Sequence, residues 1–277
     1  MGRRRKKNSV KRIHNKVFNE RGCKDSNSYK SGIYTYEIPS KGKVARVRGV
    51  NGQIHHCLSQ HEKHFLTILM YDADVSVIRD QVLLPLEDTL LLAAKYGLKH
   101  PYANQCPAVM STDFYYCKGG QWQAVAIKTT EDLLKKTVQE KLELEGLYWE
   151  QEDIPWRVVT EEDIPRQLSN NLRWLHSGVP FEQLVPDQEL RQNLLDAFVE
   201  LYHDYTIPFD EVTRTIEAYC GQRPGTMIQA FKYLISQKTI PLDLTKPLNL
   251  IEPRDFDWLC KEIASRTDKV EEKDDSN

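Results

Sequence analysis

Hydrophobic positions in the first 176 residues alternate between strand-like runs and helical stripes. Two hairpins are predicted, one turning at Asn51-Gly52 and one formed by STDFYYCKGGQWQAVAIKTT at residues 111–130. Further strand patterns occur in VSVIRDQVLL and PWRVVT, and helical patterns in LSQHEKHFLTILMYD, EDTLLLAAKYG, EDLLKKTVQEKLELEGLYWEQ and EEDIPRQLSNNLRWL. This alternation predicts a compact α/β unit, with a mixed sheet that carries helices on its faces.

The pattern changes after GVPFEQLVPDQ, where three helices follow one another with short turns. They are ELRQNLLDAFVELYHDY, PFDEVTRTIEAYCG and GTMIQAFKYLISQ, and TIPLDLTKPLNL then has the pattern of a small two-stranded wing. This order is typical of a winged helix, a relative of the helix-turn-helix, and its acidic local charge leaves DNA binding and protein binding both open. The predicted organisation is a basic arm (1–28), an α/β domain (29–177), a winged-helix domain (178–266) and an acidic flexible tail (267–277).

Charge is distributed unevenly along the chain. Residues 1–48 hold 15 lysines and arginines against three acids, and the remainder holds 23 basic and 37 acidic residues, so a balance of +12 precedes one of −14. Because neutralised phosphates release condensed counterions, the arm predicts DNA contact, with a merely solvated tail as the alternative. The residues expected to contact phosphates are Arg3, Arg4, Arg5, Lys6, Lys7, Lys11 and Arg12.

Composition argues against several classes of protein. The chain is 40% apolar and 28% charged, with no run of 18 apolar residues and no signal peptide, so a cytoplasmic protein without membrane contact is expected. The six scattered cysteines argue against a zinc ribbon or a disulfide framework and are expected to be reduced, mostly buried thiols. His55 and His56 would point to opposite sides of a strand, so with His61 and His64 they are expected at a surface or facing DNA.

Two glutamates lie within apolar helical stripes. The first stripe consists of Leu58, Phe65, Leu66 and Leu69, and the second of Leu134, Val138, Leu142 and Trp149. Helical spacing places Glu62 on the first stripe and Glu145 on the second, whereas Glu143 is expected on another face. A carboxylate on an apolar face is costly unless it is paired or bound to a cation, so both inward glutamates are candidates for a site.

The second hairpin supplies an aspartate and a lysine. Strand alternation puts Lys128 on a face with Ala124 and Ala126, two small residues that leave room above the sheet. Asp113, Lys128 and Glu62 can therefore converge on one pocket suited to metal-assisted phosphodiester hydrolysis, in which acids hold Mg²⁺ and the lysine orients or deprotonates the nucleophile. In the alternative interpretation Asp113 caps a turn, and Lys128 ends an edge strand, where its charge prevents aggregation through strand pairing. The spacing alone favours neither interpretation.

At these residues the chain resembles a known family. The order of LSQHE, VIRDQ, LKHP, VMSTDF, AIK and KLELEGLYW, followed by PWRVVT, is similar to TnsA, the endonuclease subunit of heteromeric Tns-type bacterial transposases. The resemblance runs from about residue 30 to 177, is strongest in VMSTDF and KLELE, and continues more weakly into the winged-helix region.

The resemblance implies a restriction-endonuclease-like fold with a PD-(D/E)xK-type site. Glu62 and Asp113 would bind the metal together with the backbone carbonyl of Ile127, Lys128 would be the active-site lysine, and Glu145 a supporting acid. Mg²⁺ is the implied cofactor, with Mn²⁺ as a substitute. The family commonly has glutamine two residues before the lysine, where this chain has Ala126, so ligands for a second ion are in doubt.

The resemblance also implies partners and a reaction. Double-stranded DNA at the transposon ends would be cut at the 5′ ends, beside a TnsB-like recombinase and a TnsC-like AAA ATPase contacted through the C-terminal region. Ala126 favours an alternative, a catalytically impaired adaptor that binds DNA and partners. A third interpretation is a stand-alone restriction-type nuclease that reads DNA through the winged helix.

Overall fold

A computed structural model describes most of the chain, and its residues fall into two compact units that divide between Pro165 and Arg166. The described residues are 20–37, 44–49, 51–103, 105–202, 209–238 and 242–247. The division assigns the helix before residue 177, which the sequence pattern places at the end of the first domain, to the second unit. No helix in these ranges is both long and apolar enough to cross a membrane.

The first unit contains the predicted alternation of strands and helices. Its strands are β1 Ala45–Arg48, β2 Ile54–Cys57, β3 Val75–Leu83, β4 Tyr102–Ala103, β5 Cys106–Pro107, β6 Ser111–Lys118, β7 Gln121–Ile127 and β8 Trp156–Val159. Its helices are α1 Gln60–Tyr71, α2 Leu86–Tyr96, α3 Thr130–Leu133 and α4 Lys136–Gln151. The elements confirm the predicted mixed α/β unit.

The main sheet has the strand order β3-β6-β7-β8. β6 pairs antiparallel with β3 and β7, and β8 pairs parallel with β7 after a crossover through α4. The β6–β7 hairpin turns at Gly119 and Gly120, which have φ values of 56° and 79°. A two-residue turn with positive φ at both positions matches the twist of the flanking strands, which explains the glycine pair.

Apolar side chains form two clusters around this sheet. Val125 and Ile127 of β7 pack with Phe65, Leu66 and Leu69 of α1, as strand alternation predicts. The other cluster contains the α4 residues Leu144, Tyr148 and Trp149 together with Tyr115 and Ala124 of the sheet. Helices therefore cover apolar side chains of the sheet in two separate groups. Asp113, near the start of β6, and Lys128, just after the end of β7, lie at the same end of this antiparallel pair.

One predicted helix is shorter than its sequence pattern. The stretch from Glu131 was expected to form a single helix, but α3 ends at Leu133 and Lys135 adopts an extended conformation before α4 begins at Lys136. Leu134 is therefore 82% exposed and does not belong to the apolar stripe assigned to it. The rest of the stripe is correct at Leu142 and Trp149, which are buried.

The segment 20–37 packs along β3 through its backbone. Gly32 donates its N–H to the carbonyl of Gln81 at 2.9 Å, and Leu83 donates to the carbonyl of Gly22 at 2.9 Å. A Cβ on Gly32 would lie only 2.5 Å from that Gln81 carbonyl, so a larger residue does not fit. Residues 20–28, assigned to the arm by composition, are thus in contact with the sheet.

The second unit is helical in its described residues. Its helices are α5 Arg166–Leu175, α6 Phe181–Leu184, α7 Gln188–Tyr202, α8 Phe209–Tyr219 and α9 Thr226–Ser236. The three helices predicted after residue 187 are present, and Phe198 and Phe231 pack between them with ring centroids 4.4 Å apart. Half of the predicted wing, residues 239–241 and 248–250, lies outside the described residues. Residues 242–247 form a turn whose Leu244 and Lys246 carbonyls accept hydrogen bonds from Asn171.

Candidate active site

Asp113 and Lys128 meet where β6 and β7 lie side by side. Oδ2 of Asp113 accepts hydrogen bonds from the backbone N–H of Ile127 at 2.7 Å and from Nζ of Lys128 at 2.9 Å. Nζ of Lys128 also donates to the carbonyl of Ile127 at 2.7 Å. The structure therefore brings together the aspartate, the lysine and the carbonyl that the sequence pattern predicts to act together.

Glu62 approaches the same place from the first turn of α1. Ser59 caps this helix by accepting from the Glu62 N–H, and the buried Glu62 side chain accepts at Oε2 from the backbone N–H of Leu58 at 2.8 Å. Nε2 of Gln81 donates to the same Oε2 at 3.1 Å and lies 3.5 Å from Oδ1 of Asp113. One amide nitrogen thus reaches both acids, which places Glu62 and Asp113 in a common site.

Burial and mutual repulsion shift the protonation of this site. Burial and then the negative charge of Asp113 raise the pKa of Glu62 to about 8. Burial works to lower the pKa of Lys128, but the charges of Asp113 and Glu145 outweigh it, and the lysine pKa lies above its ordinary value. Lys128 is therefore protonated in this structure, and Glu62 holds its proton more readily than a free glutamate because it is buried and lies near Asp113.

The oxygen atoms present fit a hard divalent cation. Two carboxylates and the Ile127 carbonyl face the same space, and the two hydrogen bonds from Leu58 and Gln81 to Glu62 are both accepted by Oε2. Among the described residues, no three histidine, cysteine, aspartate or glutamate side chains are grouped to hold a metal. An ion here would therefore rest on two carboxylates completed by backbone and water oxygens.

Glu145 is buried near the site but is held by other partners. Its Oε1 accepts from Oγ1 of Thr112 at 2.8 Å and from Nε1 of Trp156 at 3.3 Å, and Thr112 in turn accepts from Nε1 of Trp149 at 2.7 Å. Burial raises the pKa of Glu145. The predicted inward orientation of Glu145 is confirmed, and Glu143, expected on another face, is exposed.

Gln81 is the site residue that sequence reasoning did not single out. It lies in β3 between Asp80 and Val82, which pair with Phe114 and Thr112, so it stands opposite Asp113. Its side chain is fully buried and its φ is +54°. The available signal was a run of three polar residues, Arg79, Asp80 and Gln81, between apolar residues of the strand.

The expectation of a surface or DNA-facing position was wrong for His55, His56 and His64, which are buried, whereas His61 is half-buried. Oδ1 of Asp80 lies 2.7 Å from Nδ1 of His55, and the His56 ring accepts at Nδ1 from the backbone N–H of Thr35 at 3.2 Å. Oδ2 of Asp80 accepts from the backbone N–H of His56 at 2.8 Å. Ser31 donates to Oδ2 as well. This buried network ties β2 and the segment 20–37 to β3, immediately beside Gln81.

The structure tests only some of the remaining sequence predictions. The predicted DNA-contacting residues Arg3 to Arg12 lie outside the described residues. The five cysteines in the described ranges are free thiols, but only Cys57 and Cys117 are buried, so the expected burial of most of them is wrong for this set. Ala126 is fully buried in β7, two residues before Lys128, and offers only a methyl group.

Comparison with known proteins adds three matches. A family model described as "TnsA-like endonuclease N terminal" matches residues 72–161, and one described as "TnsA endonuclease C terminal" matches residues 163–244. The Escherichia coli transposon Tn7 transposition protein TnsA is 33% identical over 195 residues, which is 69% of each chain. The N-terminal model includes Asp113, Lys128 and Glu145 but begins after Glu62, and the boundary between the two models lies close to the structural division after Pro165.

Proposed function

The chain belongs to the TnsA endonuclease family, a group of DNA endonucleases that act in transposition, and on that basis we propose that Glu62, Asp113 and Lys128 form its active site. The observation that carries this proposal is the bridging of Glu62 and Asp113 by Gln81, with Lys128 held 2.9 Å from Asp113. The reaction proposed is hydrolysis of the phosphodiester bonds at the 5′ ends of the transposon.

Each residue of the proposed site has a separate task. Glu62, Asp113 and the Ile127 carbonyl would hold Mg²⁺, with Mn²⁺ as a substitute, and a bound divalent ion polarises a phosphate and acidifies water. Asp113 and the Ile127 carbonyl fix the Lys128 ammonium at one position. Lys128, held in this way, would orient or deprotonate the nucleophile and neutralise charge that develops on the phosphate.

The proposed site holds one ion. Ala126 has no ligating atom where the family commonly has glutamine, and Glu145 is occupied by Thr112 and Trp156. The lysine strand therefore lacks the ligand that the family's glutamine would supply, and the proposal is limited to one ion. Ala126 also favours a second candidate function, a catalytically impaired adaptor that binds DNA and partners within the transposition complex.

The partners are proposed from the family and from charge. A TnsB-like recombinase and a TnsC-like AAA ATPase would act with this chain on double-stranded transposon ends in the cytoplasm. The balance of +12 in residues 1–48 supports phosphate contact by the N-terminal arm. The three helices α7, α8 and α9 support a winged-helix assignment for the second unit, which would carry the contact with the ATPase.

The test is strand-specific nicking in the assembled system. Purified protein with its recombinase and paired transposon ends should release 5′-end nicks in Mg²⁺ or Mn²⁺ and none in EDTA. Asp113→Ala and Lys128→Ala should abolish nicking, while Asp132→Ala, which changes an exposed aspartate of α3, should not. Nicking by Asp113→Ala at the wild-type rate would exclude this site, and assembly without any nicking by the wild type would favour the adaptor.

A further inference from the structure

Gln81 adopts a backbone conformation that its residue type rarely takes. It is a fully buried residue in the centre of β3 with φ of +54°, a region that L side chains other than asparagine and aspartate seldom enter. The alternation of β3 also changes there, because Ile78 packs with the α1 cluster whereas Val82, four residues later, packs with the α4 cluster. Strain of this kind persists only where the surroundings enforce it, and it concentrates at functional sites.

The backbone of Gln81 is held by the segment 20–37. Its carbonyl accepts from the N–H of Gly32, and two residues further on the N–H of Leu83 donates to the carbonyl of Gly22. The close approach requires glycine at position 32, where a Cβ would nearly touch the Gln81 carbonyl. Gln81 therefore cannot relax into a regular strand without detaching this segment.

The side chain of Gln81 is aimed at both acids. Ser111 Oγ lies 3.4 Å from Oε1 of Gln81, on the opposite side of the amide from the carboxylates. Carboxylates accept hydrogen bonds, so the NH₂ group must face Glu62 and Asp113, and the Ser111 hydroxyl can donate to Oε1. The amide therefore draws Glu62 towards Asp113 through Oε2.

We propose that Gln81 is a positioning residue of the active site, whose amide holds the Glu62 carboxylate beside Asp113 so that one divalent cation can bind both. The inference rests on the proposed function of that acid pair. Ala126 supplies no polar group from the lysine strand, so the orientation of the acids depends on a side chain from β3 instead. Outer-shell hydrogen bonds of this kind change metal affinity by about 10- to 100-fold when they are removed.

The chain offers a matched control for the test. Gln105 is also a glutamine with positive φ, at 65°, but it lies exposed in the loop between β4 and β5. Changing either residue to glycine removes an amide side chain and relieves the same backbone conformation. Gln81→Asn keeps an amide that is one methylene shorter, in a residue type that tolerates positive φ.

The experiment is titration of the full-length variants with Mn²⁺, followed by calorimetry or by the loss of the free-ion electron paramagnetic resonance signal. Gln81→Gly should bind Mn²⁺ about 10-fold or more weakly than the wild type. Gln105→Gly should bind as the wild type does, and Gln81→Asn should fall between them. In the nicking assay, Gln81→Gly should need a higher Mg²⁺ concentration for half-maximal rate, a shift that lost folding stability alone would not produce.

The outcomes separate this inference from the proposed function. If Glu62→Gln and Asp113→Asn lose Mn²⁺ binding but Gln81→Gly binds within twofold of the wild type, the positioning role is overturned and the acid site stands. If the wild type does not bind Mn²⁺, or if both acid variants bind it normally, the acid site and the role of Gln81 fail together. Circular dichroism of each variant identifies any loss of binding that is caused by unfolding. If Gln81→Gly is unfolded, the Mn²⁺ affinity of Gln81→Asn decides whether the amide positions Glu62.

Discussion

Replacing Lys128 by methionine should destabilise the protein more than the same replacement at Lys135. The two lysines form similar pairs, Lys128 with Asp113 at 2.9 Å and Lys135 with Asp132 at 2.7 Å. Their surroundings differ, because the Lys128 side chain is 21% exposed and that of Lys135 is 54% exposed. Methionine keeps an unbranched stem of similar length, so both changes mainly remove the ammonium group.

The expected loss of folding stability follows from the interaction that Asp113 loses in Lys128→Met. Without the ammonium, Asp113 keeps the Ile127 N–H and the Gln81 amide as donors, and it faces Glu62 in a buried site. Removing one partner of a buried ion pair costs about 3–5 kcal/mol. Partial access of water to Lys128 reduces the expected loss to about 2–3 kcal/mol. The loss at Lys135 should be smaller and should shrink further in salt, because that pair is exposed.

Urea unfolding in EDTA, at low and high salt, measures both losses. Added Mg²⁺ should restore part of the stability of Lys128→Met, since that variant has two unbalanced acids, and should have no such specific effect on Lys135→Met. Nicking by Lys128→Met should fall by about 100-fold or more. Equal losses of stability in the two variants, or normal nicking by Lys128→Met, would refute the reasoning.

Three further predictions test other parts of the molecule. In metal-free buffer the wild type should lose stability as pH rises from 4.5 towards 8, because the folded-state pKa of Glu62 lies above its ordinary value and the folded state holds the extra proton. The free energy of unfolding, measured with urea, should fall by at most about 1.4 kcal/mol per pH unit. Glu62→Gln should remove this pH dependence, and an unchanged dependence in that variant would assign it to another group. Thr112→Val should cost about 2–4 kcal/mol, since Trp149 loses its acceptor and Glu145 a donor, both buried; a loss below 1 kcal/mol in the same assay would contradict the network. Deleting residues 1–18, which spares the segment packed on β3, should weaken DNA binding and flatten the dependence of log K on log salt; the same slope with and without these residues would argue for a solvated tail.

The sequence pattern was sufficient to predict the direction of a side chain wherever a single periodicity, helical or strand-like, determines it. Helical spacing placed Glu62 and Glu145 inward and Glu143 on another face, and the first two are buried while Glu143 is exposed. Alternation along β7 put Val125 and Ile127 on the side opposite Lys128, and the structure packs both against α1. The same reasoning failed at Leu134, where the helix is interrupted and the residue is exposed. A periodic stripe does not show where the backbone leaves the helix, because the interruption involves only two residues.

The resemblance of the motifs to TnsA extended the prediction from the orientation of side chains to their chemical roles. The motifs containing Glu62, Asp113 and Lys128 indicated a TnsA-type nuclease, and both family models agree with that assignment. The structure then placed these three residues in one site, although Glu62 precedes Asp113 by 51 residues along the chain. Their roles in catalysis remain predictions for the nicking and metal-binding experiments.

The sequence by itself determined the elements, the inward acids and the family, because these depend on periodicity and on short motifs. Tertiary structure alone decided the contacts between strands that are distant in sequence. His55 is buried because β2 lies against β3 and Asp80 pairs with it, and Gln81 reaches both acids because its backbone turns to positive φ against Gly32. No local pattern encodes these contacts, since the register between separate elements is set by how their apolar faces pack together.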